Sequence, residues 1–413
     1  MTIRQEKLMG EKQKVRDVAE EARCYHKTNP EEKSEDFLMN KACREIGLYD
    51  WGDTSFVAPL RRLLNSLREE GRLNSFGWFF IHSQLTRYLC GRLLIQEQLK
   101  QHHEIREEQV IQPLFIVSLP RTGSTLLQRI LSQAPSCRSL LYWEGLSPAP
   151  FSKLYMEETD PRIKAAEEFI QIRNTVVPNI NTMHSSYVCQ PEECFLLLDK
   201  SFISPRFHVL FDLPGYYNWL KKKDMLPAYS YYKQQLQLLQ FTNPHSPQQR
   251  WILKDPLHMF GINSLLEVFP DACVVQIHRE PLQSLSSLCS MLTTIQKNLQ
   301  KKIISDQLGR ETALFWKSML DKTIQARQEY ATERFLDINY KDLIKDPIKT
   351  AHKIYDYFGF IPDETATEKM KQWLIDNPKN KHGVHKYSSE NYGLTKEMVN
   401  PYFAEYCHYI DTE

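Results

Sequence analysis

The stretch from Leu114 to Leu127 narrows the possible folds more than any other. Leu114-Phe115-Ile116-Val117 is a short apolar run of the kind that forms a buried parallel strand. Ser118-Leu119-Pro120-Arg121-Thr122-Gly123-Ser124-Thr125 then makes a tight turn of small and hydroxyl residues, and Leu126-Leu127 opens a helical pattern. A strand, a glycine-bearing loop and a helix start leave backbone N–H groups free at the turn, with the helix dipole behind them. That arrangement receives an anion. Arg121 adds charge, Ser124 and Thr125 add hydroxyl donors, and Thr122 and Gly123 shape the loop.

Comparable apolar runs occur at Trp251-Ile252-Leu253, Cys273-Val274-Val275-Gln276-Ile277 and Phe335-Leu336-Asp337-Ile338, each followed by helical pattern. Strands separated by helices predict an α/β fold, a P-loop-like parallel sheet flanked by helices with ligands beyond the carboxyl ends of its strands. Before the sheet, Phe56, Leu60, Leu63, Leu64 and Leu67, and then Phe80, Leu85, Leu89 and Leu93, recur at helical spacing. An N-terminal helical extension is therefore expected over residues 1–105 and the α/β domain over 106–413. Within that domain, 183–247 reads as an aromatic-rich helical insertion on the acceptor side, carrying Tyr187, Phe202, Phe211, Tyr216, Trp219, Tyr231 and Tyr232.

Composition excludes several classes. Lys plus Arg is 52 and Asp plus Glu is 51, so no general polyanion or nucleic-acid binder is expected and any anion site is local. Nine scattered cysteines, with no metal-ligand spacing, fit a reducing compartment, and Met1 to Lys14 has no apolar signal core. The expectation is a cytoplasmic protein with no transmembrane segment and no metal.

Two rival readings of the loop stay in view. In an ATP-type loop, G-x-x-x-x-G-K-[ST], the Lys position would fall on Ser124 and the first Gly on Ser118. No strand ends in an Asp placed to help hold magnesium, which argues against a P-loop kinase. A nucleotide-binding interaction module without catalysis is the other alternative. A second anchor follows the strand Cys273 to Ile277: His278-Arg279-Glu280-Pro281, with Ser287 eight residues after Arg279. An Arg fork and a hydroxyl across one strand-to-helix turn can converge on a single phosphate.

With these segments the chain resembles the sulfotransferase superfamily, in its bacterial-type branch related to the tyrosylprotein enzymes. Trp251-Ile252-Leu253-Lys254-Asp255-Pro256-Leu257-His258 is similar to that branch's W-x-L-K-[DS]-P-x-H segment. Phe269-Pro270-Asp271-Ala272 leading to His278-Arg279-Glu280-Pro281 matches F-P-D-A…H-R-D-P with Glu for Asp. Tyr340-Lys341-Asp342-Leu343 resembles Y-E-D-L, and Lys386-Tyr387 to Tyr392-Gly393-Leu394 resembles the tail motif. The resemblance runs from about residue 45 to the end.

It implies 3′-phosphoadenosine-5′-phosphosulfate (PAPS) as co-substrate, without a metal. The loop from Leu119 to Leu127 would hold the 5′-phosphosulfate, Arg279 and Ser287 the 3′-phosphate, and Tyr340 would border the adenine. Lys386, with Lys379, Lys381 and His382, would help from the tail. Sulfuryl transfer needs positioning and a cation at the bridging oxygen, for which Arg121 and Lys254 are the candidates. It also needs a base for the acceptor's proton. Glu144 stands at a spacing from the loop arginine like that of the base in the tyrosylprotein branch. His258 follows Lys254 as K-x-x-x-H, whereas the cytosolic branch has K-x-H with its base at the position Pro256 occupies here. Both stay open. The acceptor side implies a small-molecule or lipid-like alcohol, met at a membrane surface without a spanning segment.

Overall fold

A computed structural model of the chain describes residue 20 and residues 34–150, 160–177, 180–243, 249–303, 305–362, 364–378 and 387–412. Lys386 lies outside them, with Lys379, Lys381, His382 and nearly all of the charged stretch before Pro30.

The described chain begins with helices. α1 (Glu35–Ile46) starts where the Ser34 hydroxyl accepts the Phe37 N–H at 3.2 Å and stops at Gly47 in the left-handed region. α2 (Val57–Glu69) buries Leu60, Leu63, Leu64 and Leu67, the face its periodicity marks. α3 (Ser75–Gln101) is capped by Asn74, whose side chain accepts the Gly77 N–H at 2.8 Å, and buries Leu85, Leu89 and Leu93.

β1 (Leu114–Ser118) leads through the phosphate loop into α4 (Ser124–Leu131). Next come β2 (Cys137–Ser139), α5 (Tyr142–Leu146) and α6 (Pro161–Val176). After several short helices, α7 (Leu226–Phe241) precedes β3 (Arg250–Lys254), and β4 (Cys273–His278) feeds α8 (Pro281–Leu299). α9 (Ser305–Glu329) crosses to β5 (Phe335–Asn339), and α10 (Pro347–Phe358) and α11 (Lys396–Thr412) follow. The sheet is parallel, in the order β2-β3-β1-β4-β5. All four strands read from apolar runs are present. β2 was not foreseen, because Cys-Arg-Ser makes no apolar run, although all three residues are buried.

Each face of β1 packs into a different core, as the two-residue period of a strand requires. Phe115 and Val117 join Leu253, Val274 and the N-terminal leucines Leu60, Leu64, Leu85 and Leu89 in one cluster. Leu114 and Ile116 join Leu127, Leu131, Ile354 and Tyr355 in the other. The N-terminal helices thus share an apolar core with the sheet. Because the strands are parallel, the turns after β1, β3, β4 and β5 crowd one edge. Ile116 in the central strand sits level with Lys254 on one side and Val275 on the other. No helix among the described residues is long and apolar enough to cross a membrane.

Candidate active site

The turn after β1 builds the first wall. Gly123 has φ of 82° and Arg121 of 67°. A Cβ at Gly123 would also lie 3.1 Å from the Leu343 side chain, so this turn needs glycine on two counts. Arg121, with a side chain, is held in a conformation of the kind that concentrates at functional sites. Thr122 is fully buried; its hydroxyl donates to the Leu119 carbonyl at 2.9 Å and meets Ser118 Oγ at 2.7 Å. It braces the loop from beneath, while Gly123, Ser124 and Thr125 open onto a cavity of about 340 Å³.

The second anchor closes on the first. Arg121 Nε donates to Ser287 Oγ at 3.2 Å, and the Arg279 guanidinium donates to the Arg121 carbonyl. Arg279 also lies 4.3 Å over the Tyr340 ring. Arg121, Arg279 and Tyr340 line the same cavity, and Tyr387 from the tail is among the groups acting on Arg121. Burial, and then the Arg279 charge, lower the proton affinity of Arg121 against the opposing pull of Tyr387. Arg279 Nε is buried and has no partner among the described residues. Two guanidiniums facing one space, one of them with an unused donor, suit a multiply charged anion.

Lys254 stands at the end of β3, wholly buried, donating to Thr125 Oγ1 at 3.2 Å and to Glu193 Oε1 at 2.6 Å. Beside it, Asp255 accepts backbone N–H groups from Phe195 and Leu257, and burial together with nearby Glu193 pushes its carboxyl up.

A second cavity of about 350 Å³ adjoins the first, walled by Phe76, Phe79 and Phe80 of α3, Phe169 and Ile172 of α6, and Ile295 of α8. His184, Glu193, Phe195, Arg206, Leu210 and Met291 line both cavities and form the seam. Arg206 lies 3.9 Å over the Phe195 ring and donates to buried Asp199 at 2.7 Å, which also accepts the Tyr88 hydroxyl at 3.2 Å. His184 Nε2 is 3.1 Å from Glu192 Oε1. His184, Glu192 and Glu193 bring one ligand atom each within 4.8 Å of one another, although the sequence shows no metal-ligand spacing there. Lys254 already supplies the positive charge at Glu193.

Neither base expected from spacing lines either cavity. Glu144 is buried at the start of α5, accepting the Leu141 N–H at 3.0 Å and Arg138 Nη2 at 2.9 Å. Burial raises its carboxyl pKa against the pull of Arg138. His258 is 0% exposed, with Nδ1 2.9 Å from the Tyr229 hydroxyl and its ring edge-on to Phe115. Burial pushes its pKa down to about 3, so the ring is neutral. Most rings of the 183–247 stretch are core: Phe202, Phe211, Tyr216 and Tyr232 are buried. The rings that wall the second cavity come chiefly from α3, with Phe76, Phe79, Phe80 and Tyr88, and from that stretch, with Phe195, Phe207 and Phe211.

His184, Glu192, Glu193 and Arg206 were not singled out in the sequence. Gln190-Pro191-Glu192-Glu193 offers only an acidic pair beside a proline. Its importance arises because Leu141 bridges to Pro191, and because Cys194 N–H donates to the Lys254 carbonyl at 3.1 Å.

Comparison with known proteins adds context to this geometry. The model of the Sulfotransferase family matches residues 113–364. The omega-hydroxy-beta-dihydromenaquinone-9 sulfotransferase Stf3 of Mycobacterium bovis is 26% identical over 298 residues, covering 69% of this chain and 71% of that protein. Its Mycobacterium tuberculosis namesake gives the same figures. Among solved structures, sulfotransferase STF9 from Mycobacterium avium superposes with a TM-score of 0.81 at 26% identity, covering 94% of this chain and 98% of that one. Sulfotransferase STF1 from Mycobacterium tuberculosis gives 0.76 at 29% identity, with 90% and 98% covered.

Proposed function

The chain belongs to the sulfotransferase family, and on that premise we propose that it moves a sulfuryl group from PAPS to the hydroxyl of an apolar, lipid-like alcohol. One observation carries the reading: a cavity walled by Arg121, Arg279 and the phosphate loop meets an apolar one across His184, Glu193 and Arg206. A donor that is anionic at both ends and a hydrophobic alcohol would face each other there.

Bound PAPS supplies the sulfuryl group and a phosphate leaving group. The residues present fit it. The loop from Pro120 to Thr125 offers N–H groups and hydroxyls for the 5′ end, and Arg279, with its unused Nε, and Ser287, which Arg121 reaches, would take the 3′-phosphate. Tyr340, which lines the same cavity, would border the base. Lys254 and Arg121 stabilise the negative charge that builds on the departing oxygen. Phe76, Phe79, Phe80 and Phe169 hold the alcohol's apolar body and exclude water. The menaquinone derivative in the relatives' name supports an acceptor of that class.

Thermal unfolding tests the donor half. Adenosine 3′,5′-bisphosphate at a hundred times its dissociation constant should add about 2.7 kcal/mol, and ATP with magnesium much less. Labelled transfer from PAPS to a long-chain isoprenoid alcohol tests the other half. Equal stabilisation by both nucleotides, or no labelled product, would overturn the proposal.

A further inference from the structure

Resting on that reading of the reaction, we propose that His184 is the general base that takes the acceptor's proton, and that buried Glu192 is the residue that positions it. His184 lines both cavities and its side chain is 25% exposed, so it faces the place where an alcohol and a sulfuryl group would meet. Glu192, with a side chain only 4% exposed, stands behind it and accepts from Nε2 at 3.1 Å. With the proton of the neutral ring held on Nε2 by that carboxylate, the lone pair lies on Nδ1.

The loop carrying His184 is tied to the donor machinery. Arg121 Nη1 donates to the Met183 carbonyl at 2.6 Å and Arg129 Nη2 to the Ser185 carbonyl at 3.1 Å. Glu192 is fixed too, its N–H donating to the Leu140 carbonyl at 2.9 Å and its carbonyl accepting Gln128 Nε2 at 3.2 Å. Burial alone would raise the Glu192 pKa. The His184 ring hydrogen-bonded to it, the Lys254 charge and the Ser186 hydroxyl overcome that and hold it well below the usual carboxylate range. A carboxylate that stays ionised at working pH can stabilise an imidazolium. The competing group on the seam, Glu193, is spent on Lys254 at 2.6 Å.

The step balances without a further reactant. As the acceptor oxygen forms its bond to sulfur, His184 Nδ1 takes the hydroxyl proton and shares the resulting charge with Glu192. The bond from sulfur to the 5′-phosphate oxygen breaks, and its electron pair leaves with adenosine 3′,5′-bisphosphate beside Lys254 and Arg121.

The test compares H184Q, E192Q and E193Q with the wild type, using PAPS with a long-chain isoprenoid alcohol and, separately, with water as a slow acceptor. Adenosine 3′,5′-bisphosphate affinity reports folding and the donor site in every variant. H184Q should bind the nucleotide within about twofold of wild type and lose roughly 10²- to 10⁴-fold in turnover with either acceptor. E192Q keeps an acceptor for Nε2–H and removes the charge, so kcat should fall with KM nearly unchanged. Wild-type turnover in H184Q, a loss in E192Q that falls on KM and spares kcat, or loss confined to E193Q would each overturn the base assignment alone. A wild type that consumes PAPS with neither acceptor would overturn the reaction reading, and this assignment with it.

Discussion

The two walls of the site were assembled in opposite ways. The wall proposed for the donor is made of contiguous turns: β1 into α4 supplies Arg121 to Thr125, and β4 into α8 supplies Arg279 and Ser287. The wall proposed for the acceptor gathers side chains from several parts of the chain, with His184 and Glu193 from a loop, Arg206 from a short helix, Phe80 from α3 and Phe169 from α6. A strand-to-helix turn binds a phosphate largely with its backbone, so its chemistry is written in consecutive residues. A hydrophobic pocket is a surface that any packed elements can supply. A donor site should therefore persist among proteins that share these turns, while acceptor preference can change one side chain at a time.

The largest test of this contrast falls on Lys254, which touches both regions. K254A removes the cation expected at the departing oxygen and leaves Glu193 without its partner. Turnover should fall by about 10³-fold, in line with the loss of one transition-state donor. A loss below tenfold in single-turnover rate would detach Lys254 from the chemistry. Next is R279A, a change to the donor wall alone. Nucleotide affinity measured by calorimetry should weaken by roughly 30-fold or more, as when one partner of a buried charged hydrogen bond is removed. The saturated rate should change much less. If nucleotide affinity held while acceptor KM rose, the assignment of the two walls would be reversed.

The same contrast explains what the sequence made legible. Four of the five strands, and the turns that bring Arg121 and Arg279 to one cavity, could be read, because apolar runs and turn residues are local signals. β2 could not, since the burial of Arg138 rests on distant partners: Glu144, the Leu239 carbonyl and the Trp251 ring 4.0 Å away. Glu144 and His258 stood at suggestive spacings, yet spacing says nothing of direction. Glu144 turns back to close its own helix start, and His258 turns inward against Phe115 and Tyr229. His184 gave no signal, because its partner Glu192 is brought to it by the chain's return alongside Leu141.

His258 offers a test of that inward orientation. Its folded pKa of about 3 lies below the ordinary value of 6.5, so the unfolded chain binds its proton first as pH falls. Stability from this group is therefore complete above about pH 6.5 and is lost as pH drops towards 3, by a few kcal/mol in all. H258Q should be less stable at pH 7.5 by about 1–3 kcal/mol, through the disturbed Tyr229 hydrogen bond. Its urea midpoint should also fall less steeply between pH 7 and 5 than the wild type's. An equal slope in the two proteins would mean that His258 is solvated, which would reopen its candidacy as a base.

The smallest expected effect bears most directly on the separation of the walls. Phe80 lies on α3, far along the chain from either phosphate anchor, and contributes only apolar surface to the second cavity. F80A should raise acceptor KM about three- to tenfold, the weight of roughly one kcal/mol of lost apolar contact. Nucleotide affinity should be unchanged, since no polar group of the first cavity is touched. The rate at saturating acceptor should hold as well, because contact with a remote apolar body is made equally in the ground and transition states. Should kcat fall along with the rise in KM, Phe80 would be acting on the alcohol's orientation at the seam. The two cavities would then have to be treated as one cooperative surface.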